Sequence, residues 1–307
     1  MLANVVLPYS CRTGRCSTCK CQVFTGTTSV IHPETGLTEA ELNAGWVLSC
    51  VRAVESDVLL DIDDLGGVQL PAAKTLPCRI SELGLVAPDV LSIKLRLPPT
   101  ADFQFIPGQY IDLIGPNGVR RSYSLANSSF EEKMLLLHVR RVDAGVMSRY
   151  WFEDAKVNDL LRLNGPLGTF FLRDVVAIDL IFLATGTGIA PVQAMLESIT
   201  HLPPGKQPKS VTVFWGGRLT HDLYMDFSCM PVTHRYVPVL SRAGSEWKGA
   251  RGHVQQAVLS SYTDLSNAAV YACGSDAMIR DAKNSLQQAG LPANRFYSDA
   301  FVCSASN

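Results

Sequence analysis

The sequence predicts a multi-domain protein with a small cysteine-rich domain, an antiparallel β-barrel and a parallel α/β domain. Its 307 residues exceed a single core, which usually takes about 100 to 150 residues. Four cysteines crowd into residues 11–21. A stretch rich in Gly, Pro and Ala at Gly66–Pro77 predicts a linker. Beyond it, short strand-like runs give way to alternating strands and helices. We therefore expect domains at residues 1–67, 75–174 and 175–307.

Composition narrows the class of protein. The net charge of −1 argues against nucleic acid as a partner, because such binding needs a basic surface. The most apolar segment, Val175–Val192, is interrupted by Asp179 and Gly186 and so predicts strand, turn and helix, not a membrane span. No secretory signal pattern is present. Nine cysteines, an odd number, suit metal ligation in a reducing compartment. We expect a cytoplasmic protein without a membrane partner.

The cysteines of the first domain have the spacing of metal ligands. Cys11, Cys16 and Cys19 form the pattern C-x4-C-x2-C, and Cys50 stands far along the chain. A plant-type 2Fe-2S cluster has this asymmetric spacing, in which one loop gives three thiolates and a remote strand gives the fourth. The alternative is a structural zinc site, whose ligands usually come as two C-x2-C pairs. Cys21 alternates with Cys19 on an expected strand and is interpreted as a small buried residue.

The residues between the cysteines fit the same site. Small side chains let backbone N–H groups approach the sulfurs, where such hydrogen bonds help to set a reduction potential. The loop supplies them at Gly14, Ser17 and Thr18.

The segments "PYSCRTGRCSTCKCQVFTG" and "GWVLSC" resemble the 2Fe-2S domain of bacterial ferredoxin-fused reductases. The resemblance implies a β-grasp ferredoxin domain. Domains of that family begin with a β-hairpin and a helix, whereas this sequence starts shortly before the cysteine loop. The comparison implies that the β-grasp domain is truncated and lacks its N-terminal hairpin. It also implies that Met1 is an internal methionine of a longer protein.

The short strand-like runs of the middle domain predict a small antiparallel barrel. Within it, "RSYS" at Arg121–Ser124 places a charge and an aromatic ring on one face of a strand, because side chains alternate. A flavin needs both, but the motif alone is also typical of an exposed strand with a salt-bridging arginine. The strand-like runs are Ser92–Leu97, Gln109–Ile114, Arg121–Ala126 and Met134–Arg141.

Four neighbouring motifs, "PGQY", "HVRRV", "GVMS" and "GPLGTFF", together with "RSYS" resemble the flavin-binding barrel of the ferredoxin-NADP reductase superfamily. The resemblance implies that Arg121 binds the FAD pyrophosphate, that Tyr123 packs on the flavin, and that Ser124 bonds flavin N5 as a catalytic residue. It also implies that a helix N-terminus receives the pyrophosphate. That helix start comprises Gly145, Met147 and Ser148.

The C-terminal domain alternates between apolar strands and helices, which predicts a parallel α/β unit with its ligand at the carboxyl ends of the strands. The first strand runs into "GTGIAP" at Gly186–Pro191, a glycine-rich turn that suits a pyrophosphate. Proline stands where the third glycine of the dinucleotide fingerprint belongs. We expect helices after Pro191, Gly252 and Ser275. The expected strands are Asp179–Ala184, Val211–Trp215, Arg235–Leu240 and Ala268–Cys273.

Three segments are similar to the nicotinamide-binding domain of the same superfamily. They are the glycine-rich turn at Gly186–Pro191, "WGGR" and "YACGSDAMI". The resemblance implies that Cys273 lies over the nicotinamide as a catalytic residue, although alone it would be a buried thiol. Phe301 would cover the flavin face, or alone would be a core aromatic residue. The other implied dinucleotide-binding residues are Gly186, Thr187, Gly188, Arg218, Gly274, Ser275 and Met278.

Taken in order, the three parts resemble NADH-dependent iron-sulfur flavoprotein reductases, with "LRLPPTA", "YACGS" and "SDAFV" most like the CDP-6-deoxyglucoseen reductases. The resemblance implies hydride transfer from NADH to FAD and single-electron transfer through the cluster to a partner protein. That partner would be a deoxysugar dehydrase. One alternative is the reductase component of an aromatic-ring or phenol oxygenase. Another is a flavin diaphorase whose N-terminal part, zinc-bound or empty, is an interaction module.

Overall fold

The structure, a computed structural model, describes residues 5–128, 133–227, 230, 232 and 234–301. Within these residues the strands form two small sheets near the N-terminus, one six-stranded antiparallel sheet and one six-stranded parallel sheet. None of the helices in these ranges has the length and apolar character that crossing a membrane requires.

The N-terminal domain is built on a three-stranded antiparallel sheet in the order β3-β1-β5, beside a β2-β4 pair. Cys21 lies on the central strand and is fully buried, as the alternation predicts. Thr38 caps the single helix, because its hydroxyl accepts the N–H of Glu41 while Glu41 bonds back to Thr38. The elements are β1 Lys20–Thr25, β2 Thr28–Val30, α1 Glu39–Asn43, β3 Trp46–Leu48, β4 Arg52–Val54 and β5 Leu59–Asp61.

A buried ion pair holds the strand that leads to Cys50. The Glu34 carboxylate accepts two hydrogen bonds from the Arg52 guanidinium, at 2.9 and 2.7 Å, and the N–H of Leu48 at 2.6 Å. Burial raises the pKa of Glu34, but the bonds from Arg52 and Leu48 outweigh it and leave that pKa below its usual value. The pair thus fixes the chain on both sides of Cys50.

The middle domain is an antiparallel barrel in the strand order β10-β7-β6-β11-β8-β9. A bridge between Leu125 and Leu137 joins its two outer strands and closes it. Alternate residues such as Ile93, Leu113 and Leu163 are fully buried and fill the interior. The elements are β6 Lys74–Ala87, β7 Val90–Arg96, β8 Tyr110–Ile114, β9 Arg120–Ser124, β10 Met134–Arg140, α2 Val146–Arg149 and β11 Leu160–Leu167.

The prediction of a linker at Gly66–Pro77 is wrong for the last four of these residues. Strand β6 already begins at Lys74, which pairs with Gly165 of β11. Pro77 takes part in this strand opposite Arg162. The strand was hidden from sequence reasoning because Gly and Pro usually mark turns, and cross-strand pairing overrides that local preference.

The C-terminal domain is a parallel sheet in the order β15-β14-β13-β12-β16-β17. Its central strands are buried along nearly their whole length, as expected of parallel strands covered on both faces. Helix α3 begins at Ile189, so Pro191 lies in its first turn, where proline is tolerated, and not before it. The elements are β12 Asp179–Thr185, α3 Ile189–Ile199, β13 Ser210–Gly217, β14 Arg235–Leu240, β15 Ala250–Arg251, α4 Val254–Ser261, β16 Ala268–Ser275, α5 Asp276–Gln288 and β17 Phe296–Phe301.

The change Glu34→Gln should lower the unfolding free energy of the N-terminal domain by about 1.5 to 3 kcal/mol, since it removes charge-assisted hydrogen bonds with the half-buried Arg52. Because the folded-state pKa of Glu34 is lowered, the ion pair stabilises at neutral pH and is lost as the pH falls through that value. Thermal unfolding should therefore give a lower melting temperature for the variant than for wild type, and this difference should shrink as the pH falls. Glu39→Gln, at an exposed site on α1, is the control. Equal stability of both variants at pH 7 would contradict this.

Candidate functional site

The four predicted ligand cysteines come together as two pairs. The thiol of Cys11 interacts most strongly with that of Cys16, and the thiol of Cys19 with that of Cys50. Weaker charge interactions join the two pairs, between Cys16 and Cys19 and between Cys11 and Cys50. Nowhere in the described ranges do three Cys, His, Asp or Glu side chains converge as a single metal ion would require. An arrangement of two and two suits a cluster of two irons, in which each iron takes two thiolates and shares bridging sulfides.

Within each pair, one thiol is favoured as the thiolate. The hydrogen bond from Cys16 lowers the pKa of Cys11 to about 4, against the effect of burial. In the second pair, the bond from Cys19 lowers the pKa of Cys50 to about 7. The partner bonds, followed by burial, raise the pKa values of Cys16 and Cys19. Cys11 and Cys50 are thus the members of the two pairs that more readily take the thiolate form, which is the form that binds a metal.

The loop backbone surrounds the sulfurs with N–H donors. The N–H of Thr13 donates to the Sγ of Cys11, and that of Cys11 to the Sγ of Cys16, each at 3.4 Å. The N–H of Gly14 donates to the Sγ of Cys50. These donors are the sulfur bonds that the small loop residues predict.

Gly14 has no side chain for a steric reason. Its φ is +73°, and a Cβ placed on it would lie 2.4 Å from the carbonyl oxygen of Pro33. The two other small residues hold the loop by their hydroxyls. Ser17 donates to the carbonyl of Gly36 at 2.5 Å, and Thr18 donates to the carbonyl of Ser298 at 3.4 Å.

The segment before the loop is fastened to the barrel and the loop itself to the α/β domain. Tyr9 N–H donates to the Oγ1 of Thr169, and that hydroxyl donates back to Tyr9 O, both at 2.9 Å. The N–H of Thr169 also reaches Tyr9 O at 3.1 Å. Cys16 belongs to the buried apolar cluster of the α/β domain that includes Ala300. The cysteine loop therefore lies where all three domains meet.

In the barrel, the three residues of the flavin motif lie on β9. Ser124 is buried, whereas Arg121 and Tyr123 share the other face of the strand. The Oη of Tyr123 accepts the Nε1–H of Trp151 at 2.9 Å, and burial raises the pKa of Tyr123 to about 12. The guanidinium of Arg121 donates to the carbonyl of Arg120 at 2.7 Å. This face offers a cation beside a neutral aromatic ring.

A cavity of about 300 Å³ opens at the start of α2. Gly145 precedes the first helical residue, and Ser148 Oγ accepts the N–H of Val142 at 2.8 Å, which folds the turn. The predicted Gly145 and Ser148 line this cavity together with two arginines and with two acidic residues, Asp143 and Glu153. The arginines are Arg149, on the helix, and Arg141, on the segment before it.

The side chain of Met147 points elsewhere. It is buried in the barrel core, and a Cβ on Gly115 would lie 2.3 Å from its sulfur. Met147 can therefore meet a ligand at the helix start only through its backbone.

The glycine turn of the α/β domain packs directly on β16. A Cβ on Gly188 would lie 2.2 Å from the carbonyl oxygen of Cys273, and one on Gly274 would lie 2.1 Å from the Oγ1 of Thr185. Gly186 has a φ of +55°, and the neighbouring Thr187 is half-buried. The close approach of these two turns forms the floor of the predicted dinucleotide site.

Cys273 is fully buried, and burial raises its pKa well above the usual value, so it is a neutral thiol. Ser275 caps α5 by accepting the N–H of Met278 at 3.3 Å. Phe301 pairs with Ser275 in the sheet register and is 38% exposed. Gly274, Ser275, Met278 and Phe301 thus surround the end of β16 that carries Cys273.

Arg218 lies at the carboxyl end of β13 and is exposed. The Asp222 carboxylate fixes its backbone by accepting the N–H of Arg218 at 2.7 Å and that of Leu219 at 3.0 Å. Asp222 also pairs with Arg140 of the barrel at 2.9 Å. The Arg140 guanidinium lies 2.8 Å from the position of a Cβ on Gly186, so this ion pair ties the barrel to the glycine turn.

Three family models match the chain. Residues 1–55 match the 2Fe-2S iron-sulfur cluster binding domain, residues 77–172 the oxidoreductase FAD-binding domain, and residues 182–284 the oxidoreductase NAD-binding domain. The chain is 42% identical over 304 residues to the CDP-6-deoxy-L-threo-D-glycero-4-hexulose-3-dehydrase reductase of Yersinia pseudotuberculosis serotype I, covering 98% of this chain and 91% of that protein. This chain belongs to the ferredoxin-fused reductase family.

Two other proteins show the breadth of the ferredoxin-fused reductases. Reductase component 1 of terephthalate 1,2-dioxygenase from Comamonas is 29% identical over 308 residues, which cover 98% of this chain and 90% of that protein. The crystal structure of the cytochrome P450 reductase GcoB from Amycolatopsis matches with a TM-score of 0.77 and 29% identity, over 97% of this chain and 91% of that one. The chain is thus an NAD(P)H oxidoreductase with FAD, NAD and 2Fe-2S domains.

Three buried polar residues of this reductase are absent from the sequence prediction. Ser10 Oγ donates to Asp299 Oδ1 at 2.5 Å, and Tyr110 Oη donates to Ser10 O at 2.7 Å. Asp299 also accepts a bond from Ser124, and burial raises its pKa to about 6. The signal was present, because the three stand in "PYSC", "PGQY" and "SDAFV". Only the fold shows that these motifs meet.

Gly14→Ala should reduce the iron content of the purified reductase several-fold, because the added Cβ collides with the Pro33 carbonyl and moves an N–H away from Cys50. Gly45→Ala is the matched control: its φ is +81°, yet a Cβ there meets nothing within 4 Å. The control variant bears the cost of a positive φ, about 1 kcal/mol, without the collision. Assays of iron and acid-labile sulfide compare the two. Equal iron in both variants would show that the contact with Pro33 is unimportant.

Proposed function

We propose that this reductase transfers electrons from NADH through FAD and a 2Fe-2S cluster, held by Cys11, Cys16, Cys19 and Cys50, to a deoxysugar dehydrase. The observation that carries the proposal is the two-and-two pairing of these thiols in a loop that contacts both other domains. A zinc ion needs its ligands around one point. The pairing therefore favours a two-iron cluster over a zinc ion at this site.

Bound together, the cofactors supply hydride transfer from the nicotinamide to the flavin and the release of electrons one at a time. The protein's part is to hold and orient them. Arg121 supplies charge for the FAD pyrophosphate, with the helix start at Gly145, Met147 and Ser148. Tyr123 packs on the flavin, and Ser124 offers a hydroxyl to flavin N5. Support comes from the cation and neutral ring on one face of β9 and from the adjoining cavity.

On the nicotinamide side, the backbone of Gly186, Thr187 and Gly188 receives the pyrophosphate of the dinucleotide. Cys273, which is fully buried here, would supply an uncharged thiol on the nicotinamide side of this pocket. Arg218 contacts the adenosine end, and Phe301 covers the flavin face. Gly274, Ser275 and Met278 complete this pocket.

The partner follows from the relatives. Identity is 42% to a reductase named for a CDP-6-deoxyhexulose 3-dehydrase but 29% to a terephthalate dioxygenase reductase component. We therefore place a dehydrase acting on a nucleotide-bound deoxysugar first and an oxygenase component second. Purified candidate partners, each tested for NADH-dependent turnover with this reductase, distinguish the two.

We further propose domain boundaries at residues 1–67, 75–174 and 175–307, with the first strand of the barrel beginning one residue earlier, at Lys74. The cytoplasm is the proposed compartment. Its reducing conditions suit the cysteines in the described part of the chain, which are all free thiols.

The change Cys50→Ser should separate the reduction of the flavin from the relay, that is, from electron transfer through the cluster. Serine is a poor iron ligand, so the cluster should be lost or altered, whereas the barrel that holds FAD is untouched. NADH-dependent reduction of ferricyanide, which draws on the flavin directly, should stay within about twofold while cytochrome c reduction collapses about 100-fold. Cys21→Ser, at a buried thiol outside both pairs, is the control and should keep both activities. Full cytochrome c activity in Cys50→Ser would refute the relay.

The reductase should prefer NADH to NADPH by about tenfold or more in kcat/KM, since a 2'-phosphate needs charge-assisted hydrogen bonds, each worth about 1.5 to 3 kcal/mol. Ser241 and Arg242 follow β14 and could reach a 2'-phosphate, but no second basic residue with a nearby tyrosine completes a phosphate clamp. Arg251, further along the loop, donates to the carbonyls of Ala243, Gly244 and Trp247 at 2.8 to 3.0 Å. Ser241 donates to the carbonyl of Gly217. Steady-state kinetics with both dinucleotides decide this, and a higher kcat/KM for NADPH would overturn it.

A further inference from the structure

Ser10 is a buried serine that directly precedes the cluster ligand proposed at Cys11. It is 5% exposed. Both of its polar oxygens are occupied: the hydroxyl donates to Asp299 Oδ1 at 2.5 Å, and the carbonyl accepts the Oη–H of Tyr110 at 2.7 Å. One partner belongs to the α/β domain and the other to the barrel. Ser10 is therefore bonded to both of the other domains at once.

The partners of Ser10 lead back to the candidate flavin residue. Asp299 accepts a second hydrogen bond from Ser124. Tyr110 lies opposite Ser124 in the β8–β9 register, and Asp299 lies opposite Cys273 in the β16–β17 register. Two short routes thus join Ser124 to Ser10, one through a buried carboxyl and one through a buried phenol.

From this junction we infer that Ser10 is a positioning residue for electron transfer, which holds the cysteine loop in register with Ser124. The inference rests on the proposed function. NADH is the reductant in the overall transfer and the partner protein the oxidant, and Ser10, Tyr110 and Asp299 neither gain nor lose electrons. Their role is to keep the distance between the cysteine loop and Ser124 short and constant, because the rate of electron transfer falls as the distance between donor and acceptor grows.

A purely local role for Ser10 would be to cap its own loop. The contacts argue otherwise, because both partners are more than 90 residues away in sequence and neither belongs to the cysteine loop. The Tyr9 contacts to Thr169 fasten the preceding residue independently. Loss of the Ser10 hydroxyl should therefore loosen the loop without releasing the domain.

The test compares Ser10→Ala with Ser56→Ala in the full, cluster-loaded chain. Ser56 is exposed and accepts the N–H of Thr27 at 3.0 Å at a turn formed by residues 26–28 and 55–57. The ratio of cytochrome c to ferricyanide reduction, normalised to iron content, should fall about tenfold in Ser10→Ala and stay unchanged in Ser56→Ala. The KM for NADH should not change in Ser10→Ala, because the lesion affects a later step.

Hydrogen exchange supplies a readout that does not depend on activity. The amides of residues 11–19 should exchange faster in Ser10→Ala than in wild type or Ser56→Ala. A full cluster with an unchanged activity ratio and unchanged exchange would overturn the inference.

If Ser10→Ala fails to keep its cluster, Tyr110→Phe decides the matter, because it removes only the hydroxyl that donates to the Ser10 carbonyl. It must lower the normalised ratio, or the inference fails. Wild-type protein that reduces ferricyanide but never its cluster would instead refute the proposed function, so the two failures are distinguishable.

Discussion

The docking of residues 9–16 against two other domains is the constraint on which this structure depends. Electron transfer between separate domains needs short, constant distances, and a loop free in solvent would not provide them. Here Tyr9 is tied to Thr169 of the barrel through three hydrogen bonds, and Cys16 is buried in the apolar core of the α/β domain. The small N-terminal domain, whose own core is only a few residues, is positioned by these contacts.

The same junction shows how the protein treats buried polar groups. Asp299 is a buried carboxyl, and burial raises its pKa, yet Ser10 and Ser124 satisfy it with hydrogen bonds. Cys273 stays a neutral thiol for the same reason of burial. Glu34 is paired with Arg52. Asp299 and Glu34 thus each have specific partners, which fix their geometry because an unpaired buried charge would be costly.

The sequence predicts the fold class and the family well, because both rest on local patterns. Cysteine spacing identifies the iron-sulfur domain, and period changes locate the barrel and the α/β unit. The assigned roles of the site residues stay predictions. Sequence reasoning failed where pairing between distant segments decides the structure. Lys74–Pro77 forms a strand only because β11 lies beside it, and Ser10, Tyr110 and Asp299 are about 100 to 290 residues apart along the chain.

The measurement that tests this account most directly is anaerobic mixing of the reductase with NADH, followed in one experiment by flavin absorbance and by freeze-quench EPR. The account predicts that the flavin absorbance falls first and that the EPR signal of a reduced 2Fe-2S cluster then grows, in protein with equal amounts of iron and acid-labile sulfide. Flavin reduction with no iron signal, in protein that holds zinc or no metal, would contradict it.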